Sequence, residues 1–460
     1  MDNYIDIYTL NDFHGALFPN RDEPGIARLG CYLLEKRRED PDRTVILSSG
    51  DMFQGTAVSN LSRGEVVVAA MNLIGFDAMT IGNHEFDWGV PALRRFCDGD
   101  EGNGEASFPF LAANIRLKAS GELVPWARPY MVIAKENARV GVIGVIGEDL
   151  INDILGSLIS DYEFTDMLAA IAEYSKVLRE KEGCGIVIVA AHADTMAMNE
   201  RIAAAGADAI VNGHTHNYYA GEFVFDGAVI PYIQSGNNGK YLGHIRLYLD
   251  AEGRNIINVD CENIPAALAC RKESEEINAI LSGYRDLIEV SGKKISTAGA
   301  DIDRSCAAVW TADVLRKHAN AALGMINSGG IREAAFPIMK DEAVDYGRIF
   351  RMMPFENKVV TVEMRGKELL ALIARPAGGK LVFSSNFDAV NGVLDGKKIA
   401  AAARYRVATV DFVLESPAYQ IGGERAAVYE EVLLRDLLLD AIKASALQND
   451  GIWQITKDKG

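Results

Sequence analysis

Apolar residues in this chain come in short runs, and polar, ligand-type residues gather where the runs end. Ile5–Leu10 alternates and carries β-formers, the pattern of a first strand. Thr44–Leu47, Gly75–Thr80, Phe110–Asn114 and Asp208–Val211 read as further strands, and Ile186–Ala190 is apolar enough to be covered on both faces. Helical spacing fills the gaps. Gly25–Asp40 places Ile26, Leu29, Leu33 and Leu34 on one face, and Gly64–Leu73, Pro91–Cys97, Thr165–Arg179 and Met196–Ala205 follow suit. Val132–Ala134 and Val140–Ile146 predict a hairpin, and Tyr232–Gln234 and Tyr241–Asp250 add strands. Strands alternating with helices predict an α/β fold.

The pattern changes after about residue 250. Ser274–Val290 reads as a connecting helix. Beyond it come helices at Ala307–Lys317, Gly366–Ile373 and Ala427–Ala444, and strands at Leu323–Ile326, Lys358–Met364 and Tyr405–Val410. A chain of 460 residues exceeds what one core usually supports. The reading is therefore a first domain over 1–265, a linker helix over 266–290 and a second domain over 291–460, with no internal repeat.

Composition narrows the partners. A net charge of −17 disfavours nucleic acid and acidic membranes at long range. No apolar run is long enough to span a bilayer. The expected partner is a small molecule, and no obligate protein partner is evident. Six scattered cysteines without a CxxC pair suggest buried free thiols in a reducing compartment. The start, Met1–Ile7, has no basic segment before an apolar one. These two features predict a cytoplasmic protein, unless a signal peptide has been removed.

Candidate chemistry sits at the run ends. Asp12 and His14, Asp51, Asn83 and His84, His192, and His214 and His216 each follow an apolar run. Five of the seven histidines lie in these places. Core-filling histidines would not concentrate so, whereas open α/β sheets bind ligands beyond the carboxyl ends of their strands. Oxygen and imidazole donors without thiolate suit Mn²⁺, Mg²⁺, Zn²⁺ or Fe²⁺. The donors are too many for one ion and suit two, about 3.5–4 Å apart, sharing a bridging carboxylate. Asp12, His14, Asp51 and His216 would hold one; Asp51, Asn83, His192 and His214 the other. His84 is left to stabilise or protonate the reacting group, with Asp87 orienting its ring. The donors alone leave the substrate open, since an amide hydrolase also fits. Farther on, Asn327–Arg332 offers adjacent backbone amides and a guanidinium to an anion.

Asp-x-His, Gly-Asp, Gly-Asn-His-Glu, His and Gly-His-x-His, in that order over residues 5 to about 250, resemble the calcineurin-like metallophosphoesterases of the bifunctional 5′-nucleotidase group. The resemblance implies a four-layer α/β/β/α sandwich, two metals on the seven donors named, and catalysis by His84 with Asp87. It also implies a second α/β domain that binds substrate. There Asn327-Ser328-Gly329-Gly330-Ile331-Arg332 resembles the family's phosphate-contacting Asn-Gly-Gly-Gly-Ile-Arg, and Met353–Asn357 its Pro-Phe-x-Asn stretch. Phe383 and Phe412 are matched to two aromatics that sandwich a nucleobase. The family's Gly-Gly-Asp-Gly-Tyr is replaced, with Ala418 near the place of the ribose-binding Asp, so Asp411 or Glu415 would have to substitute. Hydrolysis of nucleoside 5′-monophosphates is the activity implied. Alternatives are a 2′,3′-cyclic-nucleotide phosphodiesterase, a UDP-sugar diphosphatase, or a non-catalytic nucleotide-binding protein.

Overall fold

A computed structural model describes residues 3–136, 138–194, 196–421 and 426–455. The chain forms two compact units, Met1–Ile154 with Leu158–Arg285, and Leu155–Ser157 with Asp286–Gly460.

In the first unit, Tyr4–Leu10 pairs parallel with Thr44–Ser48, and that strand with Ala78–Thr80. Tyr241–Leu249 and Ile256–Pro265 extend the sheet antiparallel on one side, and Phe110–Leu111 closes the other. A second six-stranded sheet holds Ile186–His192 parallel to Ala209–Gly213 at its centre. Inward residues of both sheets, among them Ile7, Val45, Leu47, Val142, Ile188 and Val211, form one core. The opposite face of the second sheet packs on Met167–Glu180 and Asn199–Ala204. Helices Ile26–Glu39 and Glu65–Ile74 pack together beside the first sheet. This gives the expected four layers.

The linker segment behaves differently from the sequence reading. Glu275–Ser282 and Arg285–Ser291 are separate helices, broken at Gly283 and Tyr284. Glu275–Ser282 buries Ile277 and Leu281, and Ile277 seats against Gly30 of the first unit. Strands Tyr218–Phe225 and Ile256–Pro265 also escaped the sequence reading. Both are edge strands with much exposed surface, which weakens the apolar signal.

The second unit is built on a five-stranded sheet ordered Leu381–Phe383, Leu323–Asn327, Arg404–Val410, Lys358–Arg365 and Ala427–Leu433. Helix Arg304–His318 lies against it, and Leu434–Gln448 follows the last strand. The helix expected over Ala427–Ala444 therefore starts seven residues late. Val428, Tyr429 and Val432 are β-formers, and pairing with Lys358–Arg365 captures them.

Candidate metal centre

Every proposed donor of the first unit sits at or just beyond the carboxyl end of a strand. Asp12 and His14 follow Tyr4–Leu10, Asp51 follows Thr44–Ser48, and Asn83 follows Ala78–Thr80. His192 ends its strand, and His214 and His216 follow Ala209–Gly213. The turns are sharp. Asp12, His14, Asp51, His214 and His216 all have φ between 49° and 86°, in the left-handed region that non-glycine residues avoid. Such conformations cost about 1–3 kcal/mol each and cluster at functional sites. Packing is equally tight, since a Cβ on Gly82 would strike Asp51 Oδ1.

Two groups of donors converge: Asp12, His14 and His216, and Asp51, His192 and His214, each with its donor atoms within 4.8 Å of one another. His14 Nε2 lies 3.0 Å from His216 Nε2. His192 Nε2 lies 3.1 Å from Asp51 Oδ2. Asn83 Oδ1 sits between His192 Nε2 and His214 Nδ1, 3.1 Å from each. The backbone fixes two tautomers. His14 Nδ1 donates to the Gln54 carbonyl at 2.9 Å and His192 Nδ1 to the Ser49 carbonyl at 2.7 Å. A carbonyl only accepts, so each Nε2 turns a lone pair inward, as a metal ligand must.

The electrostatics also fit cations. Asp12 and Asp51 are buried. Burial pushes Asp12 up to about 7; His192 opposes the rise and Asp51 adds to it. Burial acts on Asp51 too, but His192 and His84 overcome it and hold that carboxyl well below the usual range. Carboxylates, an amide oxygen and inward imidazole lone pairs, with no thiolate, fit two hard or borderline divalent ions. The acceptors Asp51 and Asn83 lie with His192 and His214, and Asp12 with His14 and His216, as the two halves of such a centre require.

His84 stands beside this set. Its Nδ1 is 2.9 Å from Asp87 Oδ2, and its Nε2 is 4.0 Å from Asp51 Oδ2. The Asp87 contact keeps the proton on Nδ1 and leaves Nε2 for the reacting group. Sequence reasoning missed Glu85. Its buried carboxylate accepts from the backbone amides of Asp51, Met52 and Gly82 at 2.8–2.9 Å, tying two donor loops together. Burial, with Asp51's charge beside it, pushes this acid up to about 7. Asn11 plays a similar part, donating to Asp12 Oδ2 at 2.7 Å and accepting from Ser235 N. Only a fold-level view finds such groups, because neither follows from ligand spacing.

In the second unit, Asn327 and Arg332 flank the Ser328–Gly330 turn. Arg304 spans that turn, Nε to the Ile331 carbonyl at 2.7 Å and Nη2 to that of Ser328 at 2.8 Å. The Arg332 guanidinium lies 5.8 Å from the Phe355 ring centre. Asn357 Nδ2 donates to Asp411 Oδ1 at 3.0 Å, which sets the Phe355 segment beside helix Asp411–Glu415 and its half-buried Phe412. Phe383 is elsewhere. It is 9% exposed, its ring packs edge-on against Phe387 at 5.2 Å, and it belongs to the core. Phe412 is half-buried, so the two rings matched to the nucleobase clamp differ in exposure. Asp411 already accepts from Asn357 Nδ2, Lys358 N and Phe412 N, which fixes its carboxylate against the backbone.

Residues 5–218 match the calcineurin-like phosphoesterase family, and residues 289–417 match the 5′-nucleotidase C-terminal domain. The chain joins a calcineurin-like phosphoesterase domain to a 5′-nucleotidase C-terminal domain. Relatives of the chain include endonuclease YhcR of Bacillus subtilis, 28% identical over 368 residues, covering 75% of this chain and 29% of that protein. A snake venom 5′-nucleotidase of Gloydius brevicauda is 31% identical over 253 residues, covering 51% and 41%. The chain thus spans less than half the length of either relative. A 5′-nucleotidase precursor from Thermus thermophilus shares its fold, with a TM-score of 0.83 at 21% identity, covering 98% of this chain and 97% of that one. The cytoplasmic expectation is overturned, since a venom enzyme and a cell wall protein of Listeria monocytogenes stand among the relatives. Free thiols need no reducing compartment when they are shielded: Cys184 and Cys270 are buried and the other four partly so. Among the described residues, no helix is long and apolar enough to cross a membrane.

Proposed function

We propose that this protein hydrolyses phosphate esters with two divalent ions, and that its substrates are nucleoside 5′-monophosphates. The observation that carries this reading is the convergence of both donor groups beside the His84–Asp87 pair. Asp12, His14, Asp51 and His216 would hold one ion; Asp51, Asn83, His192 and His214 the other. Bound there, the ions supply Lewis acidity and a more acidic water. The chain's own groups do the rest. His84 Nε2 offers a proton or a hydrogen bond to the leaving or phosphoryl oxygen, and Asp87 stabilises the imidazolium form. Asn327, Arg332 and the amides between them form the anion-binding loop of the C-terminal domain. Phe412, with Phe355 near it, supplies an apolar face for a base, worth about 1–3 kcal/mol and nearly indifferent to which base it is.

Steady-state kinetics on AMP, dAMP, UMP, UDP-glucose, a 2′,3′-cyclic nucleotide and p-nitrophenyl phosphate test the reading. With Ala418 in the place of the ribose-binding Asp, AMP and dAMP should differ in kcat/KM by less than about tenfold. Phe412→Ala should raise KM for AMP and spare p-nitrophenyl phosphate. Equal losses on both would return Phe412 to the core. Preferential turnover of the cyclic nucleotide would make the enzyme a phosphodiesterase, an outcome the endonuclease relative also favours.

A further inference from the structure

Helix Arg304–His318 and strand Leu323–Asn327 are joined by a short connection and pack together, so the turn after the strand lies beside the first residue of the helix. That turn, Ser328–Gly330, is the middle of the proposed anion loop Asn327–Arg332. Its inner side is fixed. Ile331 is fully buried. Arg304 donates from Nε to the Ile331 carbonyl at 2.7 Å and from Nη2 to the Ser328 carbonyl at 2.8 Å. Arg332 N donates to the Met352 carbonyl at 3.0 Å.

In a trans peptide the C=O and the following N–H point opposite ways. The Ile331–Arg332 peptide is therefore held at both ends, by Arg304 at its oxygen and by Met352 at its nitrogen. The Arg332 side chain leaves from a fixed Cα. The Ser328 carbonyl is drawn to Arg304, which turns the Gly329 N–H the other way, and Gly329 is exposed. Gly330 allows a further close approach: a Cβ there would come within 2.9 Å of Asn327 Oδ1, so the glycine lets the Asn327 side chain fold over the turn.

An unclamped turn presents carbonyl oxygens as readily as amides, and an anion is repelled by the first and bound by the second. One guanidinium fork takes two carbonyls at once. A Lys ammonium is a point charge on a flexible stem and does not reproduce that planar geometry. We propose that Arg304 is the positioning residue of the Asn327–Arg332 loop, holding two carbonyls back so that amide and guanidinium donors meet the substrate phosphate. The proposal rests on the reading of that loop as the phosphate contact.

The test is steady-state hydrolysis of AMP and p-nitrophenyl phosphate by the Mn²⁺-loaded full chain, with inorganic phosphate as a competitive inhibitor. Arg304→Gln and Arg304→Lys should both raise KM for AMP and the inhibition constant of phosphate by about tenfold, the scale of lost charge-assisted hydrogen bonds, while kcat moves less. Guanidinium ion at a sub-denaturing concentration should restore part of the loss in Arg304→Ala and do nothing for wild type. Unchanged phosphate inhibition in Arg304→Gln overturns the proposal. Wild-type behaviour of Arg304→Lys overturns it too, because charge alone would then suffice. So does a loss that guanidinium leaves untouched and that follows a fall in Tm, which would make Arg304 a general stabiliser. Wild-type phosphate inhibition in Arg332→Ala overturns instead the reading of the loop as the phosphate contact, a result distinct from the others.

Discussion

At the scale of the residue, His84 is the sharpest case. It lies among metal donors yet its Nδ1 is committed to Asp87, 2.9 Å away. Removing it takes away proton transfer and charge stabilisation but no ligand. His84→Ala should therefore keep both ions and lose about 10²–10⁴-fold in kcat, with a smaller change in KM. Elemental analysis beside single-substrate kinetics reads both quantities. Loss of bound metal in this variant would show that His84 is a ligand. Glu85 shows the limit of residue-level reading. Its neighbours Asn83 and His84 announce chemistry by type and spacing, whereas its own role is to receive three backbone amides from two loops.

At the scale of the element, the first sheet is pinned by a charge cluster across two strands. Asp6 and Arg246 are direct partners in the antiparallel register of Tyr4–Leu10 and Tyr241–Leu249. Arg246 reaches both carboxylate oxygens at 2.7 and 2.8 Å, and His244 Nε2 meets Oδ1 at 2.8 Å while stacking on Tyr8. Burial alone would raise Asp6, but His244 and Arg246 outweigh it and lower the carboxyl below its ordinary value. A lowered acid stabilises the fold above the unfolded pKa of about 3.9 and loses that contribution as pH falls through the folded value. Arg246→Ala should cost about 1–3 kcal/mol at neutral pH, the scale of hydrogen bonds to a charged group. The difference from wild type should shrink below about pH 4. Urea unfolding at a series of pH values measures it, and a gap independent of pH would place the stabilisation in packing instead.

At the scale of the whole molecule, the metal centre is assembled from loops of both sheets of the first unit, so ions should act as cross-links. Chelation should leave Asp12 and Asp51 buried without compensating charge and lower Tm by several degrees, recoverable on adding metal. Differential scanning calorimetry with and without chelator checks this. An unchanged Tm would mean the donor groups are not loaded in the native protein. Asp51→Asn should reduce binding of both ions, because Asp51 serves both in the proposed assignment. A metal content near one per chain in a fully active wild type would sink the shared-carboxylate arrangement.

The sequence by itself determined the strand–turn order, the seven donors at strand ends and the α/β class. These are local signals: an apolar run, a sharp turn and a side chain whose type declares its chemistry. It also shows Ala418 near the place where the resemblance expects a ribose-binding Asp. Only the tertiary structure decided which groups orient those donors, since Glu85 and Asn11 act through partners dozens to hundreds of residues away. It also moved Phe383 into the core and brought Phe355 to Arg332, because an aromatic letter reads the same whether its face is open or covered. The helix–strand exchange at Ala427–Leu433 has the same origin: β-forming residues took the free edge of a sheet that lies outside any local window.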